Sequence, residues 1–233
     1  MTRTQARPNI WAIVPVKRLG LAKARLAPVL SRSERAELAR TMLHDVLTTL
    51  CATPPLAGIV VVSGDPTVAK LAALFDARIV ADVIESGVNS AVQQGLKTLD
   101  ASSAGALVVP ADVPFATSAD LQVVIRELDQ HPIVLAPALS DGGTNTLAMR
   151  RPDLIVPSFG DDSFARHQAL ARDAGLGCSI VRSEGLGRDI DCPRDLVPWT
   201  GSKKFSLTAA LLAELKLADR PGVTAFPVSK RQM

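Results

Sequence analysis

Four short, uninterrupted apolar runs, at residues 10–16, 59–62, 106–109 and 133–136, constrain the fold of this chain more than any other feature. Each has the length of a strand, and none shows the polar alternation of a sheet with one wet face, so each predicts a strand covered on both sides. Helical patterns lie between them. The clearest opens at Ser31, with Glu34 three positions later as a capping box, and carries Ala36, Ala39, Met42, Leu43, Val46, Leu47 and Leu50 at helical spacing. Further helices are expected at 66–75, 89–99, 118–128 and 163–174. The alternation predicts an α/β fold with a doubly wound, mostly parallel sheet. Ligands of such sheets bind beyond the carboxyl ends of the strands, so chemistry is expected in the segments that follow each apolar run.

With 233 residues, 47% hydrophobic and 21% charged, the chain has ample apolar surface for one sizeable core. We expect a single domain over residues 1–198 and a tail over 199–233. In the tail Leu207, Ala210, Leu211, Leu215 and Ala218 suggest one amphipathic helix, docked on its own domain or on another subunit, and then a loose end. A net charge of +3, no Tyr and 3% aromatic residues give neither a phosphate-tracking surface nor stacking platforms, so nucleic acid is not an expected partner. The uncharged stretch 46–64 has membrane-spanning length, but Pro54, Pro55 and Gly58 break it into helix end, loop and strand. Arg3 and Arg7 precede the first apolar run as in a signal peptide, yet Lys17 ends that run and no small-residue cleavage site follows, so a buried first strand is expected. Cys51, Cys178 and Cys192 are odd in number and lack CxxC spacing, which suits a reducing, cytoplasmic compartment.

Common nucleotide signatures are missing. There is no GxxxxGK[ST] loop, and the two GxG pairs are followed by Ile180 and Ile190 where a dinucleotide fingerprint needs a third glycine. His44, His131 and His167 are scattered and lack a nucleophile or metal-spaced partner, so structural or merely exposed roles are expected. Other segments are more informative. After the first run, PVKRLGLAKARL places Lys17, Lys23 and Arg25 around Gly20, a set suited to a polyphosphate and equally to a solvated basic loop. After the third run, Asp112 in PADVPF is placed either to bind Mg²⁺ or to cap a turn. In RDID, extended geometry would put Asp189 and Asp191 on one face and Ile190 on the other, and side-by-side carboxylates repel unless a cation lies between them. With Asp112, three carboxylates from two distant segments could close on one or two divalent ions. DGGTNTL and FGDDSFARH offer glycine-supported N–H groups, hydroxyls at Thr144, Thr146 and Ser163, and a helix start that could hold an anion, although Asp161 and Asp162 oppose one.

Taken in order, IWAIVPVK, LAKARL, GVNSAV, VVPADVPF, DGGTNTL, FGDDSFARH and RDIDCPRDL make residues 10–197 resemble the CofC/FbiD guanylyltransferases of coenzyme F420 biosynthesis. The resemblance implies a MobA-like nucleotidyltransferase fold. It also implies transfer from GTP to a three-carbon phosphoacid with release of pyrophosphate. The implied acceptor is 3-phospho-D-glycerate or phosphoenolpyruvate ahead of 2-phospho-L-lactate, with one or two Mg²⁺ as cofactor. Carried over by motif, Asp112, Asp189 and Asp191 are metal ligands, and Lys17, Lys23 and Arg25 join Asp112 in the catalytic set. Pro15, Val16, Lys17, Lys23, Gly87 and Asn89 fall at the nucleotide; Gly160, Ser163 and either Thr144 or Thr146 fall at the acceptor. Ala24, Cys192 and Asp161 depart from the residues usual at their positions, and none removes a charged group. A homodimer is compatible with the resemblance. The alternatives are a nucleotidyltransferase acting on molybdopterin or a sugar phosphate, and a non-catalytic nucleotide-binding regulator.

Overall fold

The computed structural model describes residues 9–84, 86–100, 104–196, 206–215 and 217. The apolar runs form β1 (Asn9–Pro15), β2 (Leu56–Val62), β4 (Ala104–Val108) and β5 (Ile133–Pro137). Three strands were not expected: β3 (Arg78–Val80), β6 (Thr144–Met149) and β7 (Cys178–Ile180). The sheet order is β3-β2-β1-β4-β6-β5-β7. Pairings are parallel except that β6 runs antiparallel to both β4 and β5, so the sheet is mostly parallel as expected. The chain winds outward from β1 through β2 to β3 and then crosses back to β4 on the other side of β1. This reversal opens a crevice at the carboxyl ends of β1 and β4.

Both faces of the sheet are covered. Ile10, Ala12 and Val14 of β1 join one buried cluster, while Ile13 joins the other. On the first face lies α1 (Arg32–Cys51), with Leu38, Met42, Leu43, Val46, Leu47 and Leu50 all buried. Each such side chain contributes ~1.5–3 kcal/mol. Its start is fixed by the expected capping box: Ser31 accepts from the Glu34 amide, and Glu34 accepts from the Ser31 amide. The second face is covered by α3 (Val88–Leu96) and α5 (Ser163–Asp173). A Cβ on Gly95 would lie 2.7 Å from Ile13 Cγ2, so glycine there lets α3 approach β1 closely and sets its N-terminus beside the crevice. Helices α2 (Pro66–Ala73), α3, α4 (Ser118–Glu127) and α5 start within one residue of expectation and stop one to three residues early. Fraying of the last turn accounts for the difference.

The short helix α6 (Glu184–Gly187) precedes the RDID segment. In the tail, α7 (Leu207–Glu214) docks on its own domain. Asp45 of α1, 4% exposed, accepts from the Leu207 and Thr208 amides at 3.1 and 2.7 Å and so satisfies the first N–H groups of α7. Ala218 and residues 199–205 and 218–233 of the expected tail lie outside the described residues. Among the described residues no helix is long and apolar enough to cross a membrane, and 46–64 resolves into the end of α1, a loop and β2.

Candidate active site

A cleft of about 610 Å³ opens at the crevice between β1 and β4. Pro15, Val16 and Lys17 reach it from the end of β1, Asp112 from the segment after β4, and Asp189 and Asp191 from the segment after α6. Gly87 and Val88 line it at the start of α3, while Thr144, Asn145, Gly160 and Ser163 form the far side.

The basic segment is not an open loop. It folds into two short 3-10 turns, Leu19–Leu21 and Ala24–Leu26, pinned by the Leu19 amide donating to Asp65 at 2.8 Å. Between the turns Lys23 takes a left-handed backbone conformation, φ 54°, which costs a non-glycine residue on the order of 1 kcal/mol or more. The strain turns its side chain inward. Its Nζ lies 2.8 Å from Asp112 Oδ2 and 2.6 Å from Asp191 Oδ1, with only 9% of the side chain exposed. Burial alone would lower the Lys23 pKa, but the charges of Asp112 and Asp191 offset it and hold the value above the ordinary one. Burial likewise pushes the Asp191 carboxyl upward, and Lys23, with Arg25 and Lys17, more than reverses this and holds it low. Arg25 lies 3.7 Å from Asp191 and is two-thirds exposed, so it adds little to stability and remains available to a ligand.

Asp189 and Asp191 face the cleft, and Ile190, fully buried between them, points into the core. The Ile190 amide donates to the Asp112 carbonyl at 3.1 Å and joins the two acidic segments. Asp189 behaves oppositely to Asp191. Burial, reinforced by the Asp112 charge, pushes its carboxyl up to about 6, against a hydrogen bond from Asn145 at 3.1 Å. Among the described residues, no group of three or more His, Cys, Asp and Glu side chains is placed to hold a metal ion as it stands. Lys23 occupies the meeting point of Asp112 and Asp191, and Asn145 engages Asp189.

The far side is mostly uncharged. DGGTNTL becomes strand β6 from Thr144 onward, buried throughout. Because β6 runs against its neighbours, its first residues, not its last, meet the cleft. Thr144 lines the cleft, whereas Thr146 donates to the Asn145 carbonyl and does not. Gly160 (φ +117°) and Ser163 line it beside Thr144. The helix start offers fewer N–H groups than expected, because the Ser163 and Phe164 amides donate to the Gly160 and Gly142 carbonyls. Asp161 sits exposed at the rim, and Asp162 does not line the cleft. Nor does Asn89: its amide donates to the Phe159 carbonyl at 3.0 Å and accepts from the Phe159 amide at 2.6 Å, tying α3 to the 159–163 turn. His167 is buried and fully hydrogen-bonded, while His44 and His131 are partly exposed and lie outside the cleft. Asn145, which orients Asp189, carried no signal in the sequence.

The fold is that of the nucleotide-diphospho-sugar transferases. A nucleotide-diphospho-sugar transferase structure from Desulfovibrio desulfuricans superposes with a TM-score of 0.67 at 20% identity, covering 89% of this chain and 95% of that one. A 4-diphosphocytidyl-2C-methyl-D-erythritol synthase from Anaerococcus prevotii gives 0.56 at 16% identity, covering 82% and 95%. Within that class the chain belongs to the CofC-like guanylyl transferase family, whose profile matches residues 10–207. It is 40% identical to the phosphoenolpyruvate guanylyltransferase of Sphaerobacter thermophilus, over 82% of this chain and 92% of the relative. It is 37% identical to the 3-phospho-D-glycerate guanylyltransferase of Phenylobacterium zucineum (84% and 91%) and 35% identical to the 2-phospho-L-lactate guanylyltransferase of Methanothermobacter thermautotrophicus (79% and 81%).

Proposed function

We propose that this protein transfers the guanylyl group of GTP to a three-carbon phosphoacid and releases pyrophosphate, as coenzyme F420 biosynthesis requires. The preferred acceptors are phosphoenolpyruvate and 3-phospho-D-glycerate, ahead of 2-phospho-L-lactate. The observation that carries this reading is the meeting of Lys23 with Asp112 and Asp191 at the switch point of the sheet, across one cleft from a pair of buried hydroxyls. Relatives named for phosphoenolpyruvate and 3-phosphoglycerate support the acceptor class, and neither alternative reading gains support from them.

The chemistry needs little base. A phosphomonoester has its second pKa at ~6, so near neutral pH it already presents an anionic oxygen to the α-phosphorus of GTP. That oxygen forms the new P–O bond, the α–β bridge breaks, and pyrophosphate departs with the electron pair. The protein positions and neutralises. Lys17, Lys23 and Arg25 take up the charge of the leaving pyrophosphate, Pro15, Val16 and Gly87 frame the nucleotide, and Thr144, Gly160 and Ser163 receive the acceptor. The donor set fits a hard divalent cation: three carboxylates line one wall, and the proton affinity of Asp189 is raised partly by the charge of Asp112. Asp112, Asp189 and Asp191 would hold one or two Mg²⁺, which when bound would supply Lewis-acid polarisation and charge neutralisation. The unpaired cysteines fit a cytoplasmic enzyme.

The test is pyrophosphate release by purified protein with GTP and Mg²⁺ and each acid supplied separately. Release that depends on one of the three acids is expected. Tight GTP binding without release under any of them would replace this reading with the regulatory one.

A further inference from the structure

His167 is buried behind the wall of the cleft, one hydrogen bond from Thr144, which lines it. It sits on α5, 0% exposed, with Phe159 packed edge-on against its ring at a centroid distance of 5.0 Å. Its Nε2 lies 2.9 Å from the Ser158 backbone nitrogen, and its Nδ1 lies 2.9 Å from Thr144 Oγ1. A backbone N–H can only donate, so Nε2 accepts. Neutral imidazole then carries its proton on Nδ1 and donates it to Thr144. A second ring proton would face the Ser158 N–H donor to donor. Burial and the nearby Arg166 charge act in the same direction and push the histidine pKa down to about 4, so the tautomer is constant at neutral pH.

The consequence falls on two hydroxyls. Thr144 Oγ1 accepts from His167, and Ser163 Oγ accepts from the Thr144 amide at 2.9 Å. Both residues line the cleft, at 4% and 1% exposure, and among the described residues neither hydroxyl proton has an acceptor. We propose that His167 is a positioning residue, which holds Thr144 Oγ1 as an acceptor so that the Thr144 proton, together with that of Ser163, points at one anionic oxygen of the acceptor acid. The proposal rests on the reading of this side of the cleft as the acceptor's. It assigns His167 no contact with substrate and no proton transfer.

Two substitutions separate the ring nitrogens. His167→Asn keeps an N–H donor near the Nδ1 position, and His167→Gln keeps an acceptor near the Nε2 position. Nitrogen NMR of the wild-type protein is expected to show the Nδ1–H tautomer, uncharged at pH 6. In His167→Gln the acceptor KM should rise about 10- to 100-fold, the scale of one oriented hydrogen bond to a charged group, while the GTP KM stays within about twofold. His167→Asn should stay within about fivefold of wild type in acceptor KM. With Thr144→Val already present, His167→Gln should add less than about twofold, because the proton it orients is gone. If His167→Gln does not fold, Thr144→Val should by itself raise the acceptor KM, and Thr144→Ser should restore it.

An Nε2–H tautomer would overturn the proposal, as would equal effects of Asn and Gln, or full additivity with Thr144→Val, each of which marks a packing role. Failure of the wild-type protein to use any of the three acids overturns the functional reading instead. The acceptor half of this proposal falls with it, while the ring signals still decide the tautomer.

Discussion

Where β1 and β4 end, the cleft wall is made of full charges in contact, Lys23 with Asp112 and Asp191 and Arg25 close by; where β6 begins, its buried part is made of Thr144, Asn145 and Ser163. The first wall suits polyphosphate and cations, which change charge and coordination during group transfer. The second suits a small ligand that must be oriented without ions competing for it. Asp189 stands at the seam, repelled by Asp112 from one wall and held by Asn145 from the other. Two residues away, Asp191 is held low by the lysine. Distance to a counter-charge, and not residue type, separates them.

The most severe break in this contrast is Asp112→Asn. Turnover is expected to fall by at least ~100-fold, the scale of losing a central electrostatic stabiliser, with the folded state intact by circular dichroism. The same substitution removes the like charge that faces Asp189, so the Asp189 midpoint, followed by carboxyl carbon NMR, should move down from about 6. Ordinary activity in this variant would take Asp112 out of the chemistry.

Lys23→Met comes next. It removes the cation between Asp112 and Asp191, leaving Arg25 at the outer side of Asp191, and should cut turnover about 10- to 100-fold. Breaking a fully buried pair costs ~3–5 kcal/mol; with the two carboxylates 27% and 37% exposed, about 1–3 kcal/mol is expected here, read from urea unfolding. Because the ammonium competes with any other cation at the same oxygens, the nucleotide-free variant should bind Mn²⁺ more tightly than wild type. Weaker binding would show that Lys23 assembles the carboxylates instead of occupying their meeting point.

Much of this arrangement is legible in the chain, for a physical reason. Strands covered on both faces must be apolar throughout, so β1, β2, β4 and β5 announce themselves. The first carboxylates beyond such strands, and the alternation about Ile190, mark the charged wall. By contrast β3 and β7 are three-residue edge strands with partly wet faces, too short to leave a run. β6 hides because an antiparallel strand enters from the cleft end, so its first residues, Thr144, Asn145 and Thr146, are polar although buried. Asn145 and His167 act through hydrogen bonds to residues 44 and 23 positions away, and no local spacing encodes such a partner. The hydroxyls of Thr144 and Ser163 are therefore legible in their motifs, while the residues that orient this wall are visible only once the fold is known.

Acidity tests the seam more gently. Asp189 has a folded-state pKa of about 6, raised from 3.8, so the fold favours its protonated form. Its contribution to stability is fully present below pH ~3.8 and is lost as pH rises through about 6. Between those limits the metal-free protein should lose on the order of 1–3 kcal/mol from this group, and Asp189→Asn should flatten that part of the stability profile. Cation uptake by the nucleotide-free protein, read with Mn²⁺, should move the other way and weaken as pH drops through about 6, since the cation must then displace a proton from Asp189.

The smallest expected effect belongs to Asn145→Leu, and it bears most directly on how the two walls meet. Asn145 donates to Asp189 Oδ1 and to the Leu186 carbonyl, so its amide is the neutral wall's hold on the acidic one. Leucine is similar in size and donates nothing. Burial and Asp112 would then act on Asp189 unopposed by that bond, and its midpoint should climb above 6 by about 1 unit, the low end of a hydrogen bond to a charged group. Turnover at pH 8 should fall only a few-fold, while the pH at which the nucleotide-free protein takes up Mn²⁺ shifts upward with the midpoint. If that pH stays in place while carboxyl NMR shows the midpoint moving, another group controls cation uptake, and the seam between the walls lies elsewhere than at Asp189.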